Sequence, residues 1–292
     1  MKLSSQTDIA AARLGDEAAV RLLAAAGYDC IDWSFFAMTN GSGPWCQDDW
    51  YEHAQRMRAV QDELGITANQ AHAPFPSSLG EEPFDTVILQ RILRSMEAAA
   101  VMGVRNIIVH PMQHLPYHKN AQALFDMNVE FYRSLIPYCE KFGIRVCAEN
   151  MWQYDEKRGY IVDSVCSRPE EFCALLDAVN SPWIVGCLDI GHCALVGQDP
   201  AEFIRALGPD RLQALHVHDV DYKQDNHTVP FSQKLDWESI CAALGEIGYT
   251  GELTFEADNT LRPLPDALLD AGAAMMERIG RYLISRVDAH RA

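Results

Sequence analysis

The stretch KFGIRVCAEN, residues Lys141–Asn150, holds one architectural unit in miniature. A helical segment stops at Gly143, a short apolar run follows, and that run ends on the carboxylate Glu149. Glycine closes a helix because it takes the left-handed conformation after the last turn without a Cβ clash. The same phrase recurs where Gly27 precedes YDCIDW, Gly65 precedes ITANQAH, Gly103 precedes VRNIIVH and Gly248 precedes YTGELTFEA. From Gly27 through Gly65 and Gly103 to Gly143 the intervals are 38, 38 and 40 residues. No strict sequence repeat accompanies them, but a strand-plus-helix unit of this size is what a parallel β/α architecture requires.

Strands are accordingly expected at residues 2–6, 28–33, 66–72, 106–110, 144–149, 184–189, 212–218 and 252–256. Between them lie segments such as DDWYEHAQRMRAVQDELG and AQALFDMNVEFYRSLIPYCEKFG, each apolar along one stripe at helical spacing. Eight strands close a barrel, and no linker, charge block or low-complexity run divides the chain. The expected fold is a single (β/α)8 TIM barrel occupying residues 1–292. An open doubly wound sheet is the alternative, but the first strand-to-helix turn has no G-x-G-x-x-G loop.

The chain has 292 residues, with 24 Lys+Arg against 41 Asp+Glu, a net charge of −17. That balance disfavours nucleic acid and anionic membranes, which both need basic surface, and favours a small-molecule partner. The N-terminus MKLSSQTDIAAARLGDE meets polar residues every few positions and offers no signal-peptide core, and no later segment approaches membrane-spanning length. Nine cysteines, none in a C-x-x-C pair, fit reduced thiols. The expected location is cytoplasmic, with no membrane partner.

Chemistry enters at the strand ends. The third, fourth, fifth, sixth and eighth expected strands end at His72, His110, Glu149, Asp189 and Glu256, and His216 lies near the end of the seventh. In a β/α barrel all those ends open on one face, where active sites are built. Any one such residue reads equally well as a hydrogen-bonded group closing the barrel top. All six together do not, because clustered carboxylates repel and lose solvation unless a cation joins them. Glu149, Asp189, His216 and Glu256 form the expected ligand set for one divalent ion. Hard oxygen donors with one imidazole suit Mn²⁺, Mg²⁺ or Co²⁺, and Zn²⁺ also binds such sets. In GCLDIGHC, Gly186–Cys193, Asp189 is thus the metal-directed residue, His192 faces the same cavity, Cys187 fills the barrel and Cys193 packs.

The motifs NQAHAPF, NIIVHP, VCAEN, CLDIGHC, HVHD, DNHTVP and LTFEA occur in this order at successive strand ends over residues 2–257. Together they resemble the xylose isomerase-like barrel superfamily of sugar and sugar-phosphate isomerases and epimerases. The resemblance implies an eight-stranded barrel, a shared divalent site on Glu149, Asp189, His216 and Glu256, and a sugar or polyol partner. It also implies a homodimer or homotetramer. The superfamily includes the endonuclease IV type of abasic-site nuclease, which uses nine ligands around three zinc ions. Each has a counterpart here: His72, His110 and Glu149; Asp189, His216 and Glu256 with the shared Glu149; and His192, Asp225 and His227. After His227 the chain departs from the family pattern, with Phe231 and Gln233 in HTVPFSQKLDW where glycines are common.

The expected activity is metal-dependent isomerisation or epimerisation of a ketose or related polyol through a metal-stabilised enediolate. Glu149 and Glu256 would take and return the proton, with His192, His72 and His110 binding substrate oxygens. Asp225 and His227 bind substrate or an additional metal. His218 reads as a structural group or as one that supports a ligand from behind, and Asp219 as an orienting partner for an imidazole. Two rivals stand beside this reading: a zinc-dependent phosphodiester hydrolase of the endonuclease IV type, holding up to three Zn²⁺, and a non-catalytic barrel that binds metal or a polyol.

Overall fold

The computed structural model describes residues 1–291. Ten strands run in chain order: β1 (Leu3–Gln6), β2 (Cys30–Ser34), β3 (Thr67–His72), β4 (Asn106–Ile108), β5 (Arg145–Glu149), β6 (Trp152–Asp155), β7 (Tyr160–Asp163), β8 (Ile184–Asp189), β9 (Leu212–His216) and β10 (Leu253–Phe255). Eight of them form one parallel sheet in the order β10-β1-β2-β3-β4-β5-β8-β9. Val217, just past β9, pairs with Phe255. Its N–H donates to Thr254 O at 2.9 Å, and Glu256 N–H donates back to Val217 O at 3.3 Å, so the sheet curls into a nearly closed barrel. The fold is therefore the expected (β/α)8 barrel.

Helices sheathe the sheet where the apolar stripes run. Trp50–Leu64 buries Ala54, Met57 and Val60, and Tyr117–Phe142 buries Leu124, Asn128, Tyr132, Leu135 and Cys139, each set recurring at three or four residues. Gly65 and Gly143 end these helices with φ of 68° and 67°, the left-handed conformation that glycine was expected to supply. No helix among the described residues is long and apolar enough to cross a membrane.

The barrel interior has two kinds of filling. On β4, β5, β8 and β9, Ile108, Cys147, Val185, Cys187 and Ala214 make a small apolar cluster, which places Cys187 as expected. On β10, β1, β2 and β3 the filling is polar. Ser4 Oγ donates to Asn69 Oδ1 at 2.7 Å, Asn69 Nδ2 to Thr254 Oγ1 at 3.1 Å, Thr254 Oγ1 to Gln70 Oε1 at 3.1 Å, and Gln70 Nε2 to Asp32 Oδ2 at 2.8 Å. Several features differ from the sequence reading: β2 runs Cys30–Ser34, β9 ends at His216 and β10 spans only Leu253–Phe255, leaving Glu256 one residue past its strand. β4 stops at Ile108, two residues short of His110. The antiparallel hairpin β6–β7 was not expected, because WQYD and YIVD are too short to show alternation above the noise of a polar loop.

Around the outside, the helices Trp237–Glu246 and Leu269–Ala289 meet at Gly245, where an added Cβ would lie 2.6 Å from Val287 O. The obstacle is backbone, which cannot swing aside. Gly245→Ala is expected to lower stability by roughly 1–3 kcal/mol, read as a reduced denaturant midpoint with an unchanged slope.

Candidate metal centre and substrate pocket

The ends of β5, β8, β9 and β10 converge. His216 Nδ1 lies 2.8 Å from Glu149 Oε1, 3.1 Å from Glu256 Oε2 and 4.0 Å from Asp189 Oδ2. One ligand atom from each of these four residues lies within 4.8 Å of all the others, and all four residues are buried. Register makes this meeting possible: Asp189 pairs directly with His216 across β8 and β9.

A single imidazole N–H can satisfy one of the three carboxylates, not all of them. Glu149 Oε2 is buried without an aligned hydrogen-bond donor, its nearest approach being His110 Nε2 at 2.9 Å. Burial opposes charge on His216, but the Glu256 and Glu149 carboxylates outweigh it and hold the imidazole well above the ordinary histidine range. Burial would likewise raise Glu149, yet His216 and His110 hold it well below the usual carboxylate range. A proton on His216 thus occupies the place where positive charge is needed. The donor set, three carboxylates and one imidazole around a common point, fits a divalent cation.

The other imidazoles are aimed by the backbone. His72 Nδ1–H donates to Ala73 O at 2.8 Å, His192 Nδ1–H to Asn150 O at 3.0 Å and His227 Nδ1–H to Glu256 O at 2.9 Å. Each bond turns Nε2 inward. His72 Nε2 then meets His110 Nε2 at 3.0 Å, while His192 Nε2 and His227 Nε2 lie 3.3 and 3.0 Å from Asp225 Oδ2. Burial opposes their charge, but Asp189 and Asp225 push His192 well up, and the bond to Asp225 with the Glu256 charge takes His227 to about 10. Burial pushes His110 down. The sequence-predicted residues therefore fall into three touching groups: His72, His110 and Glu149; Glu149, Asp189, His216 and Glu256; and His192, Asp225 and His227 joined by His218.

His218 stands behind a candidate ligand, one of the two roles expected of it. Its Nε2–H reaches both Asp189 oxygens, at 2.9 and 3.0 Å, and its ring stacks on His227 with centroids 4.0 Å apart. GHC makes room for it, since a Cβ on Gly191 would overlap the His218 ring. Asp189 also caps the helix Ile190–Leu195 by accepting from His192 N at 2.6 Å, and Asn150 braces it from both sides through Asp189 N and O. Asp219 does not orient an imidazole. Its carboxylate accepts from the backbone N–H groups of Val220, Gln233, Lys234 and Leu235 and from Trp237 Nε1, so it staples the following loop instead.

Above these groups lies a cavity of about 590 Å³. Phe36, Phe75, Met151 and Trp152 give it an apolar wall, and Arg262 is the one Lys or Arg on its lining. Trp152 belongs to the hairpin and donates Nε1–H to Asp225 Oδ2 at 3.2 Å. Trp33 is fully buried below, bonded to Gln61 and packed on Trp45.

Residues 20–279 match the family described as the xylose isomerase-like TIM barrel. The chain is 24% identical over 193 residues to the fructoselysine 3-epimerase of Escherichia coli O157:H7, covering 66% of this chain and 67% of that protein. It is 25% identical over 224 residues to the "Probable endonuclease 4" of Bacillus licheniformis, covering 72% and 69%. Two uncharacterized relatives are spanned over only 50% and 64% of their own length. A solved D-tagatose 3-epimerase-like protein superposes with a TM-score of 0.75 at 17% identity, over 99% of each chain, a likeness of fold.

If the four-residue centre holds a cation, chelator-treated protein should be stabilised by added Mn²⁺ or Co²⁺. At about 100-fold excess over Kd the linkage is worth about 2.7 kcal/mol, a rise of several degrees in Tm for a chain of this size. Glu149→Gln should remove most of that rise, and differential scanning fluorimetry reads both.

Proposed function

Given that the chain belongs to the xylose isomerase-like TIM barrel family, we propose that it is a divalent-metal-dependent epimerase or isomerase of a ketose or related polyol. The observation that carries this reading is the pair Glu149 and Glu256. They come from β5 and from the end of β10, both line the cavity, and both reach one imidazole nitrogen, at 2.8 and 3.1 Å. Inverting or isomerising a centre next to a carbonyl needs a weakly acidic proton taken from carbon and another delivered, which two convergent carboxylates can divide between them. Glu149, Asp189, His216 and Glu256 would hold one ion, Mn²⁺, Mg²⁺, Co²⁺ or Zn²⁺, whose chemistry is Lewis-acid stabilisation of negative charge developing on the substrate oxygens.

Around that pair the remaining groups bind and exclude. His72, His110 and His192 present ring nitrogens to substrate hydroxyls. The aromatic wall takes the apolar face of a sugar and keeps bulk water from the reacting carbon. One arginine is too little for a phosphate, which favours an unphosphorylated substrate. The names of the fructoselysine and D-tagatose-like relatives favour epimerisation at the carbon beside the keto group. A cytoplasmic setting accords with nine unpaired cysteines.

The nuclease reading draws on the clustering of all nine candidate ligands and on the endonuclease relative. Against it stand the net charge of −17 and the single arginine at the mouth, a poor surface for a phosphodiester backbone. Elemental analysis is expected to give about one divalent ion per chain, with no cleavage of abasic DNA; about three zinc ions with cleavage would reverse the choice. A non-catalytic barrel would show no exchange of carbon-bound hydrogen with deuterated water across a ketose panel. The wild-type chain is expected to catalyse that exchange, and Glu256→Gln to lose it by at least about 10²-fold while remaining folded, followed by NMR.

A further inference from the structure

Beneath His216 lies a carboxylate that none of the proposed chemistry uses. Asp32 is on β2, where the register with β3 shifts between Ile31 and Asp32. Such an irregularity re-aims a side chain, and here Asp32 joins the interior network, completely buried. Gln70 Nε2 donates to its Oδ2 at 2.8 Å, while Oδ1 has no donor at all. Facing it is the other half of the deficit: His216 Nε2 is buried without a partner and stands 3.7 Å from Asp32 Oδ2. An orphaned donor and an under-satisfied acceptor side by side, both sealed from water, form a costly pair unless they are made to meet.

Resting on the reading that a divalent ion sits at Glu149, Asp189, His216 and Glu256, we propose that Asp32 is the positioning residue for His216. When Nδ1 faces the ion it carries no proton, so the ring's proton resides on Nε2 and Nε2–H donates to Asp32. The gap from 3.7 Å to an ordinary hydrogen bond is about 1 Å, within reach of a small tilt of the ring. The bond fixes the tautomer, holds the ring plane and raises the basicity of Nδ1, as a carboxylate behind a ligating histidine does. Asp32 touches neither substrate nor ion; it acts through His216. Gln70, Thr254, Asn69 and Ser4 then serve to hold Asp32 in place from the opposite side.

The test measures the affinity of chelator-treated full-length chain for Mn²⁺ by competition with a fluorescent chelator, in wild type, Asp32→Asn and Asp32→Ala. The asparagine variant keeps the shape if alanine fails to fold. Both are expected to bind roughly 10–100-fold more weakly, while the metal-free Tm of Asp32→Asn stays at or above that of the wild type. In ¹⁵N-edited NMR of Zn²⁺-loaded wild type, His216 Nε2–H should give a slowly exchanging signal that moves in Asp32→Asn. A purely structural Asp32 would change Tm and leave Mn²⁺ affinity within about twofold; that result, or the absence of the His216 signal from loaded wild type, overturns the proposal. A wild type that retains no divalent ion overturns the metal reading and this inference with it.

Discussion

The constraint on which the site rests is electrostatic: three buried carboxylates, from β5, β8 and the end of β10, share the edge of one imidazole beside the cavity. In solvent such a group would fly apart; inside the barrel the strands hold it. Without a cation, one His216 proton faces both Glu149 and Glu256; His218 serves Asp189 and Gln6 serves Glu256 Oε1, but Glu149 Oε2 is left without an aligned donor. That imbalance is what a divalent cation would correct, and it explains why so many polar groups are tolerated where an apolar core would be more stable.

Much of the remaining structure can be read as support for that meeting. Asn150 ties the end of β5 to Asp189, and Asp189 caps the short helix that carries His192, so Asp189 and His192 are held in one hydrogen-bonded unit. His227 is tied to the backbone of Glu256, and Asn259 ties the loop before it through Asn226 O. Three histidines spend Nδ1 on a carbonyl and turn Nε2 to the cavity. Rigid aiming of this kind matters because catalytic geometry tolerates errors of only about half an ångström.

The barrel interior shows a division of labour. Its apolar half, with Ile108, Cys147, Val185, Cys187 and Ala214, packs under β5, β8 and β9, the strands that end in candidate ligands. Its polar half runs from Ser4 to Asp32 and arrives beneath His216. The nine cysteines follow the same logic. Burial pushes the Cys147 thiol up to about 12 and the Cys187 thiol well above its ordinary value, in keeping with their place in the apolar filling.

How much of this was legible in the primary structure depends on the range of the interaction involved. The strand-plus-helix rhythm, the glycine stops at Gly65 and Gly143 and the carboxylates and imidazoles at strand ends are local facts. Parallel barrel geometry converts them directly into one polar mouth, so Glu149, Asp189, His216 and Glu256 could be named in advance as neighbours. The contacts of His218, Asp219 and Asp32 could not be assigned, because they depend on loop paths and on one register shift that no local pattern records. The hairpin β6–β7 was hidden for a related reason, since two four-residue strands carry no pattern until they pair. The amino-acid sequence by itself determined which chemistry-bearing groups stand at the mouth, because side-chain period and strand polarity leave little choice. Only the tertiary structure decided which of them touch and which nitrogen each ring presents, because those are differences of an ångström set by packing across the barrel.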